Sequence, residues 1–423
     1  MLSLHDTRTP AGRAALAALT KTRTTPDFAA LEAALPIVRE VLAGGRDALA
    51  RLVALHDGVA LLPGELVVDP LDAPTPPVEP DFAAAFRLAR RRIAAYHRHQ
   101  KPRGLSFTDA AGIRFQERPV PLDSVGVYVP GGRAFYPSSL LMGVVPARVA
   151  GVPRVVVATP PRAWNGSAEL RWAARELGIR EVLLAGGAHG IAGLAAVARC
   201  AKIVGPGNRW VTAAKHLLSA TVAVDLPAGP SEVLILASAD APPELVASDL
   251  LAQAEHDPDA LPLLFTDARP LAAAVAREVE RQLPSLPTSE TARRSLAANG
   301  GAYLFRKIRD AACAARGVAA EHVQVIGRAA EREAGALAET AGALFRGAAT
   351  PTALGDYIAG PNHVLPTGGA ARSFSGLSLR DFYRFTHEVR ASSRAARALA
   401  PPAALLARFE GLEAHARALE ARR

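Results

Sequence analysis

Cysteine is almost absent from this sequence of 423 residues, which contains only Cys200 and Cys313. Two cysteines exclude a disulfide-built scaffold and any zinc or iron–sulfur site that needs four cysteine ligands. Aromatic residues are also few, at 5%, and no block of five or six like charges occurs. Both shortages argue against a nucleic-acid-binding surface, although the formal net charge is +9.

Long apolar runs are lacking as well. The most apolar stretch, residues 182–198, is short for a membrane span and contains several glycines, so it predicts a buried strand, a glycine turn and a helix. Residues 1–26 have no apolar segment of the kind that a secretion signal needs. We therefore expect a cytoplasmic protein, with a transit peptide as the weaker alternative.

What is present is a globular composition, 50% hydrophobic and 21% charged, in which short apolar strands alternate with helices. Helices are predicted over residues 28–58 and 81–100, and a mostly helical tail over 377–423, interrupted at Pro401-Pro402. The predicted strands are 124–129, 154–159, 181–185, 202–204, 222–225, 232–237 and 261–265. A second α/β stretch follows over 268–346. This alternation predicts parallel sheets with helices on both faces.

Glycine and proline are concentrated in four loops at the ends of predicted strands, residues 129–132, 185–188, 204–208 and 228–232. In doubly wound sheets, ligands bind outside the carboxyl ends of the strands, and glycine lets backbone N–H groups approach phosphates. Each loop alone is equally consistent with a tight turn, but four in succession favour a ligand site. No G-x-G-x-x-G fingerprint follows any of these strands.

Two short segments combine residues that suit metal binding or proton transfer. Gln253 and His256 are three residues apart at the end of a helix that begins near Pro243, and such a pair can hold zinc. The alternative is a histidine that only caps the helix. Glu321 and His322 are an adjacent acid and base at the start of a short strand, where they could form an acid–base couple. The alternative is a surface Glu-His dipeptide.

Two further segments near the C-terminus carry candidate site residues. Asp356 lies between glycine and tyrosine, which suggests a placed carboxylate, the alternative being an ordinary turn residue. Glu410 and His415 would point about 140° apart on one helix, so they converge on a ligand only from a helix start or a bend. The alternative is that both are ordinary exposed residues of a terminal helix.

Together these motifs, in this order along nearly the whole chain, resemble the histidinol dehydrogenase family. The segments that carry the resemblance are residues 127–132, 136–139, 202–208, 228–232, 253–256, 321–322, 355–357 and 410–415. The resemblance implies zinc-dependent oxidation of L-histidinol to L-histidine by way of L-histidinal, with two NAD+, in the last two steps of histidine biosynthesis.

Residue roles follow from the same resemblance, position by position. It implies one Zn2+ per subunit, held by Gln253, His256, Asp356 and His415. Glu321 and His322 would be the acid–base residues. Histidinol would contact the zinc ligands and also Ser231, His322 and Glu410. NAD would contact Tyr128, His189 and Asn208.

The implied fold is two doubly wound, Rossmann-like α/β domains, one inserted in the other, with helical N- and C-terminal extensions. The predicted parts are a helical extension (1–26), the domain with the metal and catalytic residues (27–127 and 232–375), the inserted cofactor-side domain (128–231) and a helical C-terminal segment (376–423). In the family the C-terminal Glu and His come from the neighbouring subunit. A homodimer with shared sites is therefore implied, in which 376–423 contributes to the partner's site.

This sequence departs from the family pattern at three positions, and several alternatives stay open. The family usually has Gln where His189 stands, Pro where Ala320 stands and Asn where Arg316 aligns. A diverged paralogue could oxidise another amino or sulfonated alcohol. A zinc hydrolase of amides or esters would leave the four glycine loops unexplained. A nucleic-acid-binding or scaffold protein is suggested only by the net charge.

Overall fold

The structure is a computed structural model that describes residues 2–21, 27–131, 136–226 and 229–422. Gly132 and Ala228 of the predicted glycine loops lie outside the described residues, as do residues 22–26 of the predicted N-terminal extension. In the described part of the chain, no helix combines the length and apolar character that a membrane crossing requires.

The described residues form fifteen strands. In chain order they are β1 (Ser3–Asp6), β2 (Val67–Val68), β3 (Leu105–Thr108), β4 (Ile113–Pro121), β5 (Ser124–Tyr128), β6 (Arg154–Thr159), β7 (Glu181–Leu184), β8 (Lys202–Val204), β9 (Ala223–Val224), β10 (Glu232–Ala237), β11 (Leu261–Thr266), β12 (Gly301–Leu304), β13 (His322–Ile326), β14 (Ala343–Arg346) and β15 (Tyr383–Ala391). The seven strands predicted from apolar runs are all present, each within one residue of its predicted bounds.

The same residues form sixteen α-helices. They are α1 (Pro10–Lys21), α2 (Phe28–Leu52), α3 (Pro80–His99), α4 (Pro137–Ala150), α5 (Pro161–Gly166), α6 (Ala168–Glu176), α7 (Gly187–Ala196), α8 (Arg209–Leu218), α9 (Pro243–Ala254), α10 (Arg269–Gln282), α11 (Ser289–Ala298), α12 (Ile308–Val318), α13 (Arg328–Leu337), α14 (Thr352–Tyr357), α15 (Ser393–Phe409) and α16 (Glu413–Glu420). A π-helical turn, Val53–Asp57, extends α2. Short 3-10 turns lie at Leu283–Ser285, Ala370–Arg372 and Leu379–Phe382.

Two six-stranded sheets share one topology. Sheet 1 has the order β2-β7-β6-β5-β8-β9 and sheet 2 the order β1-β12-β11-β10-β13-β14. All neighbouring strands are parallel except β2, which is antiparallel to β7. In sheet 1 the strands β5, β6 and β7 follow one another to one side of β5, and β8 and β9 lie on its other side. In sheet 2 the strands β10, β11 and β12 lie to one side of β10 in the same way, and β13 and β14 lie on its other side. The strand order therefore reverses between β5 and β8 in sheet 1 and between β10 and β13 in sheet 2, which confirms the doubly wound α/β class.

Helices cover both faces of each sheet because the strands are apolar on both faces. All six residues of β10, for example, are buried. Helices α2, α7 and α8 cover one face of sheet 1, and α3, α4 and α6 cover the other. On sheet 2 the corresponding layers are α9, α10 and α11 on one face and α1, α12 and α13 on the other.

A third sheet, with the order β15-β4-β3, is antiparallel and lies largely exposed. Strand β15 pairs with β4 over its full nine residues. The chain then continues into α15 and α16, which pack on each other around Ala404, Ala407 and Ala416. We call residues 383–422 the C-terminal arm.

The packing differs from the predicted division in three places. The N-terminal extension contains β1, a polar edge strand of sheet 2 that has no apolar alternation to reveal it. Residues 27–127 were grouped with the catalytic domain, yet α2, α3 and β2 all pack on sheet 1. The C-terminal segment contains β15, and α15 runs unbroken through Pro401 and Pro402, both of which are exposed.

Candidate active site

The candidate catalytic residues lie at the amino edge of sheet 2, where the glycine-loop argument did not place them. Glu232 is the first residue of β10 and His322 the first of β13, and these two strands are neighbours. The candidate cofactor residues lie instead at the carboxyl edge of sheet 1. Between β9 and β10 the chain passes from the carboxyl edge of sheet 1 to the amino edge of sheet 2.

Glu321 is held by donors from the loop that leads into β10. Its Oε2 accepts a hydrogen bond from Ser231 Oγ at 2.6 Å and another from the Glu232 backbone N–H at 2.8 Å. In return, the Glu321 N–H donates to Glu232 Oε2 at 3.1 Å, and the Gly368 N–H donates to Glu232 Oε1 at 2.8 Å. This reciprocal pairing fixes two buried carboxylates beside each other without placing their charges in direct contact.

The contacts of His322 define its tautomer. Its Nδ1 lies 3.0 Å from the carbonyl oxygen of Glu232. A carbonyl oxygen can only accept, so Nδ1 carries the proton and donates it. Nε2 is buried without a hydrogen-bond partner and lies 3.4 Å from Asp356 Oδ1. Burial alone would lower the pKa of His322, but the carboxylates of Glu321 and Asp356 outweigh it and raise the pKa well above its ordinary value.

Three histidines act on the charge of the Asp356 carboxyl group. Burial alone would raise the pKa of its carboxyl group, but His322, His363 and His256 together hold that pKa below its usual range. His363 Nδ1 also lies 2.8 Å from the Asp356 carbonyl oxygen, which fixes the turn after α14. The Asp356 carboxylate thus lies beside His322, and its role in a site stays a prediction.

The donors near Asp356 fit a borderline metal such as zinc. Gln253, near the end of α9, is buried, and its amide nitrogen has no hydrogen-bond partner. An amide can present its oxygen instead by rotating about its last bond. His256 follows α9 and lies close enough to Asp356 to lower its pKa. Among the described residues of one chain, no cluster of three or more His, Cys, Asp or Glu side chains could hold a metal. Of the four predicted zinc ligands, only His256 and Asp356 are residues of these types in this part of the chain, since Gln253 is an amide and His415 lies in the C-terminal arm.

Glu410 and His415 belong to a different part of the chain. Helix α15 ends before Glu410, Gly411 adopts a left-handed conformation with φ +76°, and α16 begins at Glu413. The break between the two residues is the bend that the sequence analysis required. Within the described part of one chain, neither side chain forms a hydrogen bond or an ion pair, and both residues are exposed. In a single chain, Glu410 and His415 make no contact with Glu321, His322 and Asp356, which we call the His322 cluster.

Two of the predicted cofactor residues lie at the strand-order reversal of sheet 1. Tyr128 ends β5, and its hydroxyl accepts a hydrogen bond from the Gly187 N–H at 2.9 Å. Burial raises the pKa of Tyr128 to about 12. Asn208 caps α8, since its Oδ1 accepts from the N–H groups of Trp210 at 3.1 Å and Val211 at 3.2 Å. Both side chains therefore have a structural role in addition to any contact with a ligand.

The third predicted cofactor residue, His189, lies in the first turn of α7 and is buried. Its Nε2 lies 2.8 Å from Asp57 Oδ2, which also accepts from the Gly186 N–H at 3.0 Å. Asp57 was not singled out in the sequence, and no local motif marks it. Its role appears only when the π-helical turn after α2 is packed against sheet 1.

The glycine loops are held by side chains from elsewhere, which corrects the expectation that their N–H groups are free for phosphate. In three loops, a glycine N–H already donates to a side chain. The acceptors are Asp57 for Gly186, Asp225 for Gly205 and Thr367 for Gly229. The N–H groups of these glycines serve to fix the loops, so a phosphate would have to use other donors.

Sequence reasoning also missed a buried pair behind the site. Gln324, two residues after His322 on β13, donates to Asp249 Oδ2 at 2.7 Å. Asp249 precedes Gln253 by one turn of α9, so the two share a helix face. Burial raises the pKa of Asp249 to about 6. The i, i+4 spacing from Gln253 was the one available signal.

Comparisons with known proteins agree with these motifs. The sequence model of the family described as histidinol dehydrogenase matches residues 20–423. The chain is 42% identical over 392 residues to the histidinol dehydrogenase of Rhizobium meliloti (strain 1021), covering 91% of this chain and 90% of that protein. It is 43% identical over 394 residues to the enzyme of Agrobacterium fabrum (strain C58 / ATCC 33970), covering 91% and 90%. The crystal structure of histidinol dehydrogenase from Elizabethkingia anophelis superposes with a TM-score of 0.87 at 28% identity, covering 100% of this chain and 98% of that one.

Proposed function

Because the chain belongs to the histidinol dehydrogenase family, we propose that it oxidises L-histidinol to L-histidine through L-histidinal, with two NAD+ and one Zn2+ per subunit. The observation that carries the proposal is His322, whose Nδ1 is tied to a carbonyl while Nε2 is buried and free of hydrogen bonds beside Asp356. In its neutral form, an imidazole held in this way is a base with one free nitrogen, Nε2, directed at a single point.

The proposed metal ligands are Gln253, His256 and Asp356 of one chain and His415 of a second chain. Amide oxygen, imidazole and carboxylate suit zinc, which does not change its oxidation state. When bound, Zn2+ would anchor the substrate and NAD+ would accept the hydride in each oxidation. Two electrons leave in each step, so two NAD+ account for the four electrons between an alcohol and a carboxylate.

His322 would accept the proton that leaves the reacting oxygen in each oxidation. In the first step that proton comes from the alcohol, and in the second from the hydrated aldehyde. The carboxylates of Glu321 and Asp356 stabilise the imidazolium that results, since they outweigh the effect of burial on the pKa of His322. The proton must leave His322 between the two steps, because the same Nε2 is used twice.

Glu321 would activate the water that converts the aldehyde to its hydrate. Its three close contacts, from Ser231, Glu232 and His322, all fall on Oε2. Within the described chain, Oε1 makes no hydrogen bond, which leaves it as the oxygen that can accept a proton from water. Ser231 holds Glu321 and, with Glu410 of a second chain, would also contact histidinol.

A homodimer with shared sites is part of the proposal. Glu410 and His415 make no contact with the His322 cluster in one chain, so a second chain would have to supply them. The C-terminal arm also leaves Leu406 66% exposed and Phe409 83% exposed. Large exposed apolar side chains that lie together mark a protein–protein interface. A cytoplasmic location stays a prediction from the sequence.

The proposal is tested by metal analysis combined with product stoichiometry. The purified protein should contain one zinc per subunit and form two NADH for each histidinol consumed, followed by absorbance. Chelation should abolish turnover, and added Zn2+ should restore it. A zinc hydrolase would produce no NADH. A paralogue would oxidise another amino or sulfonated alcohol faster than histidinol.

A further inference from the structure

We propose that Asp57 is a positioning residue for the dinucleotide cofactor, and that it acts by fixing the Gly186–His189 wall of the cofactor pocket against Tyr128. This inference rests on the proposed use of NAD. Asp57 lies outside every motif that identified the family, and it enters the site from the π-helical turn after α2.

The Asp57 carboxylate makes two hydrogen bonds to one short segment. Its Oδ2 accepts from the Gly186 N–H at 3.0 Å and from His189 Nε2 at 2.8 Å. The approach is close, because a Cβ on Gly186 would lie 2.7 Å from Asp57 Oδ1. The His56 ring stacks on the His189 ring, with 5.5 Å between centroids. The carboxylate therefore fixes both the turn before α7 and the first turn of that helix.

A continuous set of contacts connects Asp57 to the strand-order reversal of sheet 1. Gly187 follows Gly186 and donates to the Tyr128 hydroxyl at 2.9 Å. The backbone of Tyr128 in turn lies against Gly205, where an added Cβ would be only 2.3 Å from the Tyr128 carbonyl oxygen. Losing the Asp57 carboxylate would free the segment that positions Tyr128. The candidate catalytic residues on sheet 2 make no contact with Asp57.

The first test compares Asp57→Ala and Asp57→Asn with the wild-type protein. Both donors bond to the same oxygen, Oδ2, so asparagine can keep both bonds with its amide oxygen and loses only the negative charge, whereas alanine loses both bonds. We expect Asp57→Ala to raise the KM for NAD+ about 10-fold or more, the equivalent of one charge-assisted hydrogen bond. The KM for histidinol and kcat at saturating NAD+ should stay within about twofold. NADH binding, measured by fluorescence titration without turnover, should weaken to the same extent.

Variants of His189 provide a matched pair that keeps Asp57 in place. Glutamine carries an N–H about as far from the backbone as Nε2, so His189→Gln should bind NADH nearly as well as the wild type. His189→Leu removes the donor and should weaken NADH binding about as much as Asp57→Ala. The double variant of Asp57→Ala and His189→Leu should lose less than the product of the two single effects, because both remove the same bond.

Asp240 offers a control on sheet 2. It also uses its carboxylate to fix a glycine turn, accepting from the Arg328 N–H at 3.0 Å beside Gly327. Asp240→Asn should leave NADH binding unchanged.

The inference is overturned if Asp57→Ala and His189→Leu leave NADH binding unchanged, or if Asp240→Asn weakens it equally. If Asp57→Ala does not fold, the His189→Gln and His189→Leu pair decides the question. Failure of the proposed function has a different signature, because the wild type itself would then form no NADH from histidinol, whereas failure of this inference leaves the wild-type reaction intact.

Discussion

At the scale of single residues, the geometry of His322 makes a sharp prediction for His322→Asn. The asparagine amide nitrogen takes roughly the place of Nδ1, so it can keep the bond to the Glu232 carbonyl while Nε2 is lost. Loss of a positioned base typically costs about 10²–10⁴-fold in rate. We expect a loss of this size with histidinol and also with supplied histidinal, each measured as NADH formation.

The fold of His322→Asn is checked by thermal unfolding. A rate within a few fold of the wild type for either substrate would show that another group accepts the proton.

The Glu321→Gln variant separates the two oxidations. Glutamine keeps an oxygen that can accept from Ser231 Oγ and the Glu232 N–H, so the local structure should persist. It cannot accept a proton from water, which only the second oxidation requires. We expect oxidation of supplied histidinal to fall at least about 10-fold further than oxidation of histidinol in single-turnover measurements. Equal losses in the two half-reactions would refute this division of roles.

At the scale of elements, the loop after β8 depends on one glycine. Gly205 has φ +122°, and an added Cβ would lie 2.3 Å from the Tyr128 carbonyl oxygen, a backbone atom that cannot move aside. Gly178 has φ +66° but open space around it. Gly178→Ala should lower the free energy of unfolding by about 1 kcal/mol, from backbone strain alone. Gly205→Ala should lower it by about 3 kcal/mol or more.

Urea denaturation of the two variants measures this difference. If Gly205→Ala lowers the free energy of unfolding no more than Gly178→Ala does, then β5 and β8 can separate at the carboxyl edge of sheet 1.

Most strands and helices of the two main sheets could be predicted from the sequence, but the sheet edge at which each site residue lies could not. Strands such as β6 and β10 are continuous apolar runs bounded by glycine or proline, and this local signal is enough to find them. The glycine loops suggested a site at carboxyl edges only. His322 lies instead at the amino edge of sheet 2, as the first residue of β13, and no local pattern encodes which edge of a sheet carries a site residue. Strand β15 was missed for a similar reason, since it pairs with β4, more than 260 residues earlier in the chain.

The candidate site divides in the same way. Gln253, Asp356, Glu321 and His322 were identified because each belongs to a short motif. Asp57 and Asp249 were missed because their partners come from distant elements.

At the scale of the whole molecule, two sheets of one topology present different crevices. At its strand-order reversal, sheet 1 has the Tyr128 side chain and the Gly205 loop, whose Asp225 carboxylate is buried and paired with Lys215 at 2.7 Å. At the equivalent place in sheet 2, the Asp240 carboxylate lies at the start of α13, where the Arg328 N–H and Ser238 hold its pKa well below the usual range. An ionised carboxylate there already satisfies the helix terminus and repels phosphate. This asymmetry favours cofactor binding on sheet 1, which leaves the amino edge of sheet 2 for the substrate.

The proposed sharing of sites between two chains predicts complementation between inactive variants. A chain with His322→Ala has a defective His322 cluster but an intact C-terminal arm. A chain with His415→Ala has an intact His322 cluster but a defective arm. In a mixed dimer, the intact His322 cluster of one chain meets the intact arm of the other, so one of the two sites is complete. Random pairing makes half of the dimers mixed, so coexpression should restore about a quarter of wild-type activity per chain. If each arm served its own chain, every site would lack one histidine and coexpression would restore nothing.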